Sequence, residues 1–228
     1  MLTPELVARL KRVKVADLAD GCRLLGVHGP TANPSLRPAV PYRGLVGTAV
    51  PHRIFIGTGK RDYGEQATEL YMQGRSVPYA VVVQRNEVPD FTSIGSGGAY
   101  AARAHGYVGW VTSGPMRDTD EMPSREGFAL YGTSVVPSGR LVEQVPAGGS
   151  IHFEFGATFE VAGMTVAPGD ILVGDNDGMI ALKPADLEAV LAEAEKILEG
   201  EADFYRKLDA GMNIRQIVEA GRAAARKK

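Results

Sequence analysis

The sequence predicts one α/β domain in which βα units come first, an antiparallel β block follows and helices close the chain. Three observations carry this. Apolar, β-rich runs at 44–50 ("GLVGTAV"), 79–84 ("YAVVVQ") and 107–112 ("YVGWVT") are spaced by helix-like segments. From 151 to 183 short strands alternate with tight turns. After Pro184, Leu187, Val190, Leu191, Ala194, Ile197 and Leu198 recur at three- and four-residue spacing. No internal repeat or linker interrupts the 228 residues, so 1–228 read as a single domain.

The elements follow in order. Residues 3–25 predict a helix with a break. Thr3 can cap it and Pro4 suits its first turn, while Gly26 can close it. Residues 28–43 hold four prolines and predict an irregular connection. Strands are expected at 44–50 and 53–57, a helix at 63–74, and a strand at 79–84. A short helix over 98–105 precedes the strand 107–112, and 128–136 predicts another strand. In the β block, "DNDG" at 175–178 is a hairpin turn. Gly200 weakens the helix that starts near Pro184, and a more polar helix or tail runs from 212.

Composition excludes several classes. Lys plus Arg is 25 and Asp plus Glu is 27, a net charge of -2, so bulk charge offers nothing to nucleic acid or an anionic membrane. The one cysteine, Cys22, excludes an internal disulfide and a multi-cysteine metal site; it reads as a small buried apolar residue. The first fifteen residues lack an apolar leader core, and no apolar run reaches membrane-spanning length. A soluble cytoplasmic protein is the expectation.

Familiar catalytic signatures fail on spacing. "GTGK" at 57–60 has Ile54 where a phosphate loop needs its first glycine and Arg61 where it needs a hydroxyl. Asp175 and Asp177 lack the remaining ligands of a calcium loop. His28, His52, His105 and His152 are scattered, with no pair at zinc-site spacing. "GSGG" at 95–98 is not a nucleophile elbow.

One constellation remains. In "IGSGGAYAARAHG" (94–106) a glycine-rich turn opens a short helix, whose free amides suit an anion. The helix, about 12 Å long, runs away from that turn, and the following strand, about 20 Å long, runs back to "GPMRD". Gly95, Ser96, Gly97 and Gly98 should therefore meet Arg117 and Asp118 at one sheet edge, beyond a strand's C-terminal end, where α/β layers bind ligands. Arg can grip a carboxylate in a bidentate fork. Asp is a hard oxygen ligand for Mg²⁺ or Mn²⁺. An acidic substrate with a divalent metal fits this set.

"VADLADGCRLLGV" (15–27), "YRGLVGTAV" (42–50), "GSGGAYAARAHGYVGWVTSGPMRD" (95–118), "YGTSVVPSGR" (131–140) and "VAPGDILVGDNDGMIAL" (166–182) together resemble the RraA-like family. That family includes the class II 4-hydroxy-4-methyl-2-oxoglutarate / 4-carboxy-4-hydroxy-2-oxoadipate aldolases. The resemblance implies a β/β/α swivelling-domain sandwich with C-terminal helices. It also implies assembly as a homotrimer or hexamer, with helices 184–225 packing on a neighbouring subunit.

In such aldolases Asp118 would match the metal ligand, with Mg²⁺ or Mn²⁺ as cofactor. Arg117 would hold substrate and stabilise an enolate. The amides of Gly95, Ser96, Gly97 and Gly98 would hold a pyruvyl carboxylate. Glu201, from a neighbouring subunit, would reach the metal through water. The implied activity is retro-aldol cleavage of a 4-hydroxy-2-oxo acid to pyruvate, or decarboxylation of oxaloacetate. The partner expected is a small acidic substrate, with neither nucleic acid nor membrane. Two departures stand out: the aldolase pattern has Asp where Ser96 lies, 21 residues before Arg117, and Asp where Ser113 lies. Two other readings accompany the aldolase: a non-catalytic regulator of ribonuclease E activity, and a lyase or dehydratase acting on another hydroxy acid.

Overall fold

The computed structural model describes residues 1–225 apart from 42, 43, 89, 90, 125 and 139–144, and side chains as far as 221. Tyr42, Arg43, Gly139 and Arg140, within the family-like motifs, lie outside the described residues.

The N-terminal helix is two helices, α1 (Pro4–Leu10) and α2 (Val15–Leu25). Thr3 caps α1 by accepting from the Leu6 amide at 3.2 Å, and Gly26 closes α2 at φ 66°. A two-residue strand, β1 (Arg37–Pro38), lies in the proline-rich connection. The strands expected at 44–50 and 53–57 are one strand, β2 (Leu45–Thr58). Pro51 does not break it. On one flank, residues 45–48 pair with β11 (Ile171–Gly174) and residues 52–58 with β8 (Gly149–Phe155). Pro51 falls between these two partners, where its missing N–H costs no ladder bond.

Next come α3 (Tyr63–Gly74), β3 (Ala80–Asn86), α4 (Ser96–Ala104), β4 (Gly109–Thr112), β5 (Pro115–Met116) and a 3₁₀ turn at Thr119–Ser124. Helix α4 starts two residues earlier than the expected 98–105, so the glycine turn is its first turn. Then follow β6 (Ala129–Gly132), β7 (Ser134–Val135), the hairpin β9 (Phe159–Val161) and β10 (Met164–Val166), and β12 (Met179–Leu182). The 175–178 turn closes the β11–β12 hairpin, with the Asp175 amide donating to the Gly178 carbonyl at 2.9 Å. Helix α5 (Leu187–Asp209) runs through Gly200, and α6 (Ile214–Ala225) ends the described chain. No described helix is long and apolar enough to cross a membrane.

The main sheet has the order β1-β6-β4-β3-β2-β11-β12, with β8 also on β2. Strands β2, β3, β4 and β6 are parallel; the flanking pairs are antiparallel. Alternation along β3 builds the layers. Ala80 and Val82 face Leu70, Ala102 and Tyr107 on the helical side. Val81 and Val83 face Val161 and Met164 of the β9–β10 hairpin. Helices, sheet and hairpin thus form the β/β/α sandwich. At one end, Leu10, Leu18, Val190, Leu191 and Ala194 of α1, α2 and α5 close over Ile180 and Leu182. Arg9 clamps this end: its Nε and Nη2 hold both oxygens of Glu195 at 2.9 and 2.8 Å. The first half of α5 thus buries Leu187, Val190, Leu191 and Ala194 on its own chain.

Candidate functional site

The chain segment before α4 lies alongside the segment after β4. The Ser93 amide donates to Pro115 O at 2.8 Å and the Arg117 amide to Ile94 O at 3.1 Å. On its other flank β5 pairs with β7, and the Val136 amide donates to Met116 O at 3.0 Å. Residues 115–117 are thereby held from both sides as they leave the end of β4. Asp118 then turns into the left-handed region, at φ 55°. Such a backbone costs about 1–3 kcal/mol in a residue other than glycine, and the surrounding ladder holds it there.

The expected meeting of the two segments is what the fold delivers. A cleft of about 380 Å³ is lined by Gly95, Gly97, Gly98, Arg117 and Asp118 together with Ser93, Ile94, Tyr63, Tyr71 and Trp110. Asp118 Oδ2 accepts from the Ser96 amide at 3.1 Å and lies 3.4 Å from Arg117 Nε. Oδ1 has no hydrogen-bond partner among the described residues. Gly95 is the residue before α4, and the first intrahelical bond is Ala99 N to Gly95 O at 3.0 Å. The amides of Gly97 and Gly98 precede that bond and have no acceptor among the described residues. They present the positive end of α4 to the cleft. Both charged side chains are about two-fifths exposed, 42% for Arg117 and 36% for Asp118, so a solute can reach them.

The other expected residues fall elsewhere. The Ser96 amide, on the backbone, supports Asp118. Ser113 Oγ accepts from the Asn86 amide at 2.9 Å, a structural use of the hydroxyl. Glu201 does not line this cleft; its carboxylate pairs with Lys14 of the same chain, and that bond raises the Lys14 pKa.

Sequence reasoning missed the wall and its support. Tyr63 and Tyr71 come from α3 and Trp110 from β4. Behind Ser93 runs a buried polar chain. Thr112 Oγ1 lies 2.8 Å from Ser93 Oγ and 3.1 Å from Gln84 Oε1, and Gln84 Nε2 lies 3.2 Å from His52 Nε2. Asn86 Nδ2 donates to Ser93 Oγ at 2.9 Å. His52 is fully buried against Trp110, Phe153 and Phe155, and desolvation pushes its pKa down to about 3, so the ring is neutral. His52 Nδ1 and Trp110 Nε1 are buried with no hydrogen-bond partner. An isolated histidine in an apolar strand carries no local signal of such a chain.

Comparison with known proteins was made against this geometry. Residues 15–181 match the sequence profile of a family described as Aldolase/RraA. An uncharacterized protein of Methanocaldococcus jannaschii is 25% identical over 118 residues, a match spanning about half of each chain (51% and 52%). Among solved structures, an uncharacterized protein of Pseudomonas syringae pv. tomato superposes with a TM-score of 0.72 at 21% identity, over 94% of this chain and 97% of that one. The RraAS2 protein of Streptomyces coelicolor, titled an unusual member of the RNase ES inhibitor RraA protein family, gives 0.70 at 20% identity over 90% and 97%. At these identities the structures establish a shared fold.

Proposed function

We propose that this chain, which belongs to the RraA-like family, is a divalent-metal-dependent carbon–carbon lyase that cleaves a 4-hydroxy-2-oxo acid and releases pyruvate. Decarboxylation of oxaloacetate, which passes through the same enolate, is the second activity of this reading. One observation carries it: unfilled helix amides, a guanidinium and a backbone-strained carboxylate share one reachable cleft.

The donor set was weighed against the metal. Among the described residues no three His, Cys, Asp or Glu side chains converge on a cage. That argues against a closed zinc-type site. Mg²⁺ keeps several waters and takes one or two carboxylates plus substrate oxygens. Asp118, with Oδ1 unpaired among the described residues, suits Mg²⁺ or Mn²⁺ held in that way. When bound, the ion would supply Lewis-acid polarisation of the 2-oxo group.

The chain's own groups do the rest. The amides of Gly97 and Gly98 hold the substrate carboxylate, and Arg117 pairs with it and with the oxygen on which enolate charge develops. Donors fixed in advance at developing charge are among the largest contributors to catalysis. The ladder on both sides of residues 115–117 keeps Arg117 from drifting. Glu201 is committed to Lys14 within its own chain, so a trimer or hexamer would have to bring a second copy's Glu201 to this cleft as the proton-handling carboxylate. A cytoplasmic location belongs to the same reading.

The test is pyruvate release, coupled to lactate dehydrogenase, from 4-hydroxy-4-methyl-2-oxoglutarate and from oxaloacetate, with Mg²⁺, Mn²⁺ or EDTA. Turnover that needs the metal and disappears in Asp118→Ala is expected. Folded protein that releases pyruvate from neither acid would sink the lyase reading and make ribonuclease binding the next assay.

A further inference from the structure

We propose that Thr112 is a positioning residue: with Gln84 and Asn86 it sets the register between the glycine turn and the segment that carries Arg117 and Asp118. For the reaction this rests on the lyase reading above; the register itself can be measured without turnover.

Three strands supply the groups. His52, Gln84 and Thr112 are direct neighbours across β2, β3 and β4. The preceding row on the same face, Val50, Val82 and Trp110, is apolar and packs with the residues of α3 and α4. One step toward the strand ends the row turns polar, and His52, Gln84 and Thr112 are still buried. Strand β4 stops at Thr112. Burying such groups is costly unless they are bonded, and their bonds lead to the two segments that build the site.

Thr112 Oγ1 is the shared point. It accepts from the Gly114 amide at 3.0 Å and lies 2.8 Å from Ser93 Oγ and 3.1 Å from Gln84 Oε1. Asn86 ties the same segments a second time. Its Nδ2 donates to Ser93 Oγ at 2.9 Å and to Phe91 O at 2.8 Å, and its amide donates to Ser113 Oγ at 2.9 Å. Residues 91–93 lead into the glycine turn, and 112–114 lead to Arg117. A β-carbon on Gly114 would stand 2.3 Å from both Ser93 Oγ and Asn86 Nδ2, so the cluster closes against bare backbone.

Apolar contact is non-directional. A bonded polar cluster fixes direction as well as distance. The spacing between the Gly97 and Gly98 amides and Arg117 needs both, since a misplacement of about 1 Å can cost about 10²-fold in rate. Thr112, Gln84 and Asn86 are not among the described residues lining the cleft, so they act through Ser93 and the backbone of 113–117.

Thr112→Val keeps the shape and removes the hydroxyl. In oxaloacetate decarboxylation its kcat should fall by about 10²-fold with KM little changed, the pattern of stabilisation lost in the transition state alone. Thr112→Ser should restore most of the rate. Gln84→Met removes one Thr112 partner at similar volume and should also lower kcat; it carries the test if the valine variant does not fold. The double variant should lose less than the product of the two losses, as members of one network do. Hydrogen exchange followed by mass spectrometry reads the register directly. Thr112→Val should lose protection in peptides covering 91–98 and 113–118, and Thr112→Ser should keep it. Full kcat in Thr112→Val, or a loss that serine does not restore, would overturn the proposal. If the unmodified protein cleaves and decarboxylates nothing, the lyase reading falls. Loss of protection confined to the two segments then still supports the register, and unchanged protection overturns it.

Discussion

A β-carbon on Gly95 would stand 2.5 Å from Asp118 Oδ2 and 3.1 Å from Arg117 Nε. Asp118 thus rests against bare backbone, and a methyl group at position 95 would push its carboxylate out of that place. Gly95 has φ -128°, a value open to alanine, so Gly95→Ala tests contact and not backbone freedom. It should lower kcat/KM at least tenfold while Tm moves by no more than a few degrees.

Asp118 at φ 55° separates strain from chemistry. Asp118→Gly and Asp118→Ala should both lose activity. The glycine variant should be the more stable of the two by about 1–2 kcal/mol, because only glycine occupies that region without penalty. Chemical denaturation of the two variants reads the difference; equal stability would show that the backbone relaxes on substitution.

Arg117→Lys keeps the charge and loses the planar fork. The expected loss is about 10²–10³ in kcat, the cost of removing one fixed donor at developing charge. Steady-state kinetics with oxaloacetate would show it. A rise in KM alone would mean that Arg117 only binds substrate.

Ser96 adjoins Asp118 through its own amide. Restoring a carboxylate there, Ser96→Asp, should tighten Mn²⁺ binding by about 10–100-fold, the usual weight of a supporting group around a metal. Titration followed by electron paramagnetic resonance measures this directly, without turnover. Unchanged affinity would place the ion away from position 96.

His52 makes stability depend on pH. Its folded-state pKa is about 3, against 6.5 in the unfolded chain. Between those values the unfolded chain binds a proton that the folded chain refuses, so stability rises with pH and this contribution is complete above 6.5. Below 6.5 the slope contributed by this one group should approach about 1.4 kcal/mol per pH unit. The carboxylates with depressed pKa values, such as Glu195, act lower, from their ordinary 4.5 downward. Urea unfolding from pH 6.5 to 4.5 therefore isolates His52, and His52→Gln should flatten that stretch.

Much of this was readable along the chain because it is local. Thr3 and Gly26 announce helix ends through one side chain and one permitted dihedral. The 175–178 turn and the 63–74 helix likewise need only neighbours in sequence. The meeting of the glycine turn with Arg117 and Asp118 was readable too, since a helix and a strand of known rise return the chain to one edge. Where two long-range partners share a strand, local reading failed. The strands expected at 44–50 and 53–57 are one, and Pro51 is tolerated within it only because β11 and β8 divide the flank of β2 on either side of it.

Residue order alone therefore settled the succession of elements and the pairing of residues 95–98 with 117 and 118, because both follow from short-range geometry. The site's walls and supports came from folding. Tyr63, Tyr71, Ser93 and Trp110 are far apart in sequence and converge only when α3 and α4 cover the parallel strands. His52 becomes a neutral, buried ring, and Glu201 a partner of Lys14, only when distant segments remove water from one and bring a cation to the other. Desolvation and long-range charge pairing are properties of neighbours in space, and no spacing along the chain encodes them.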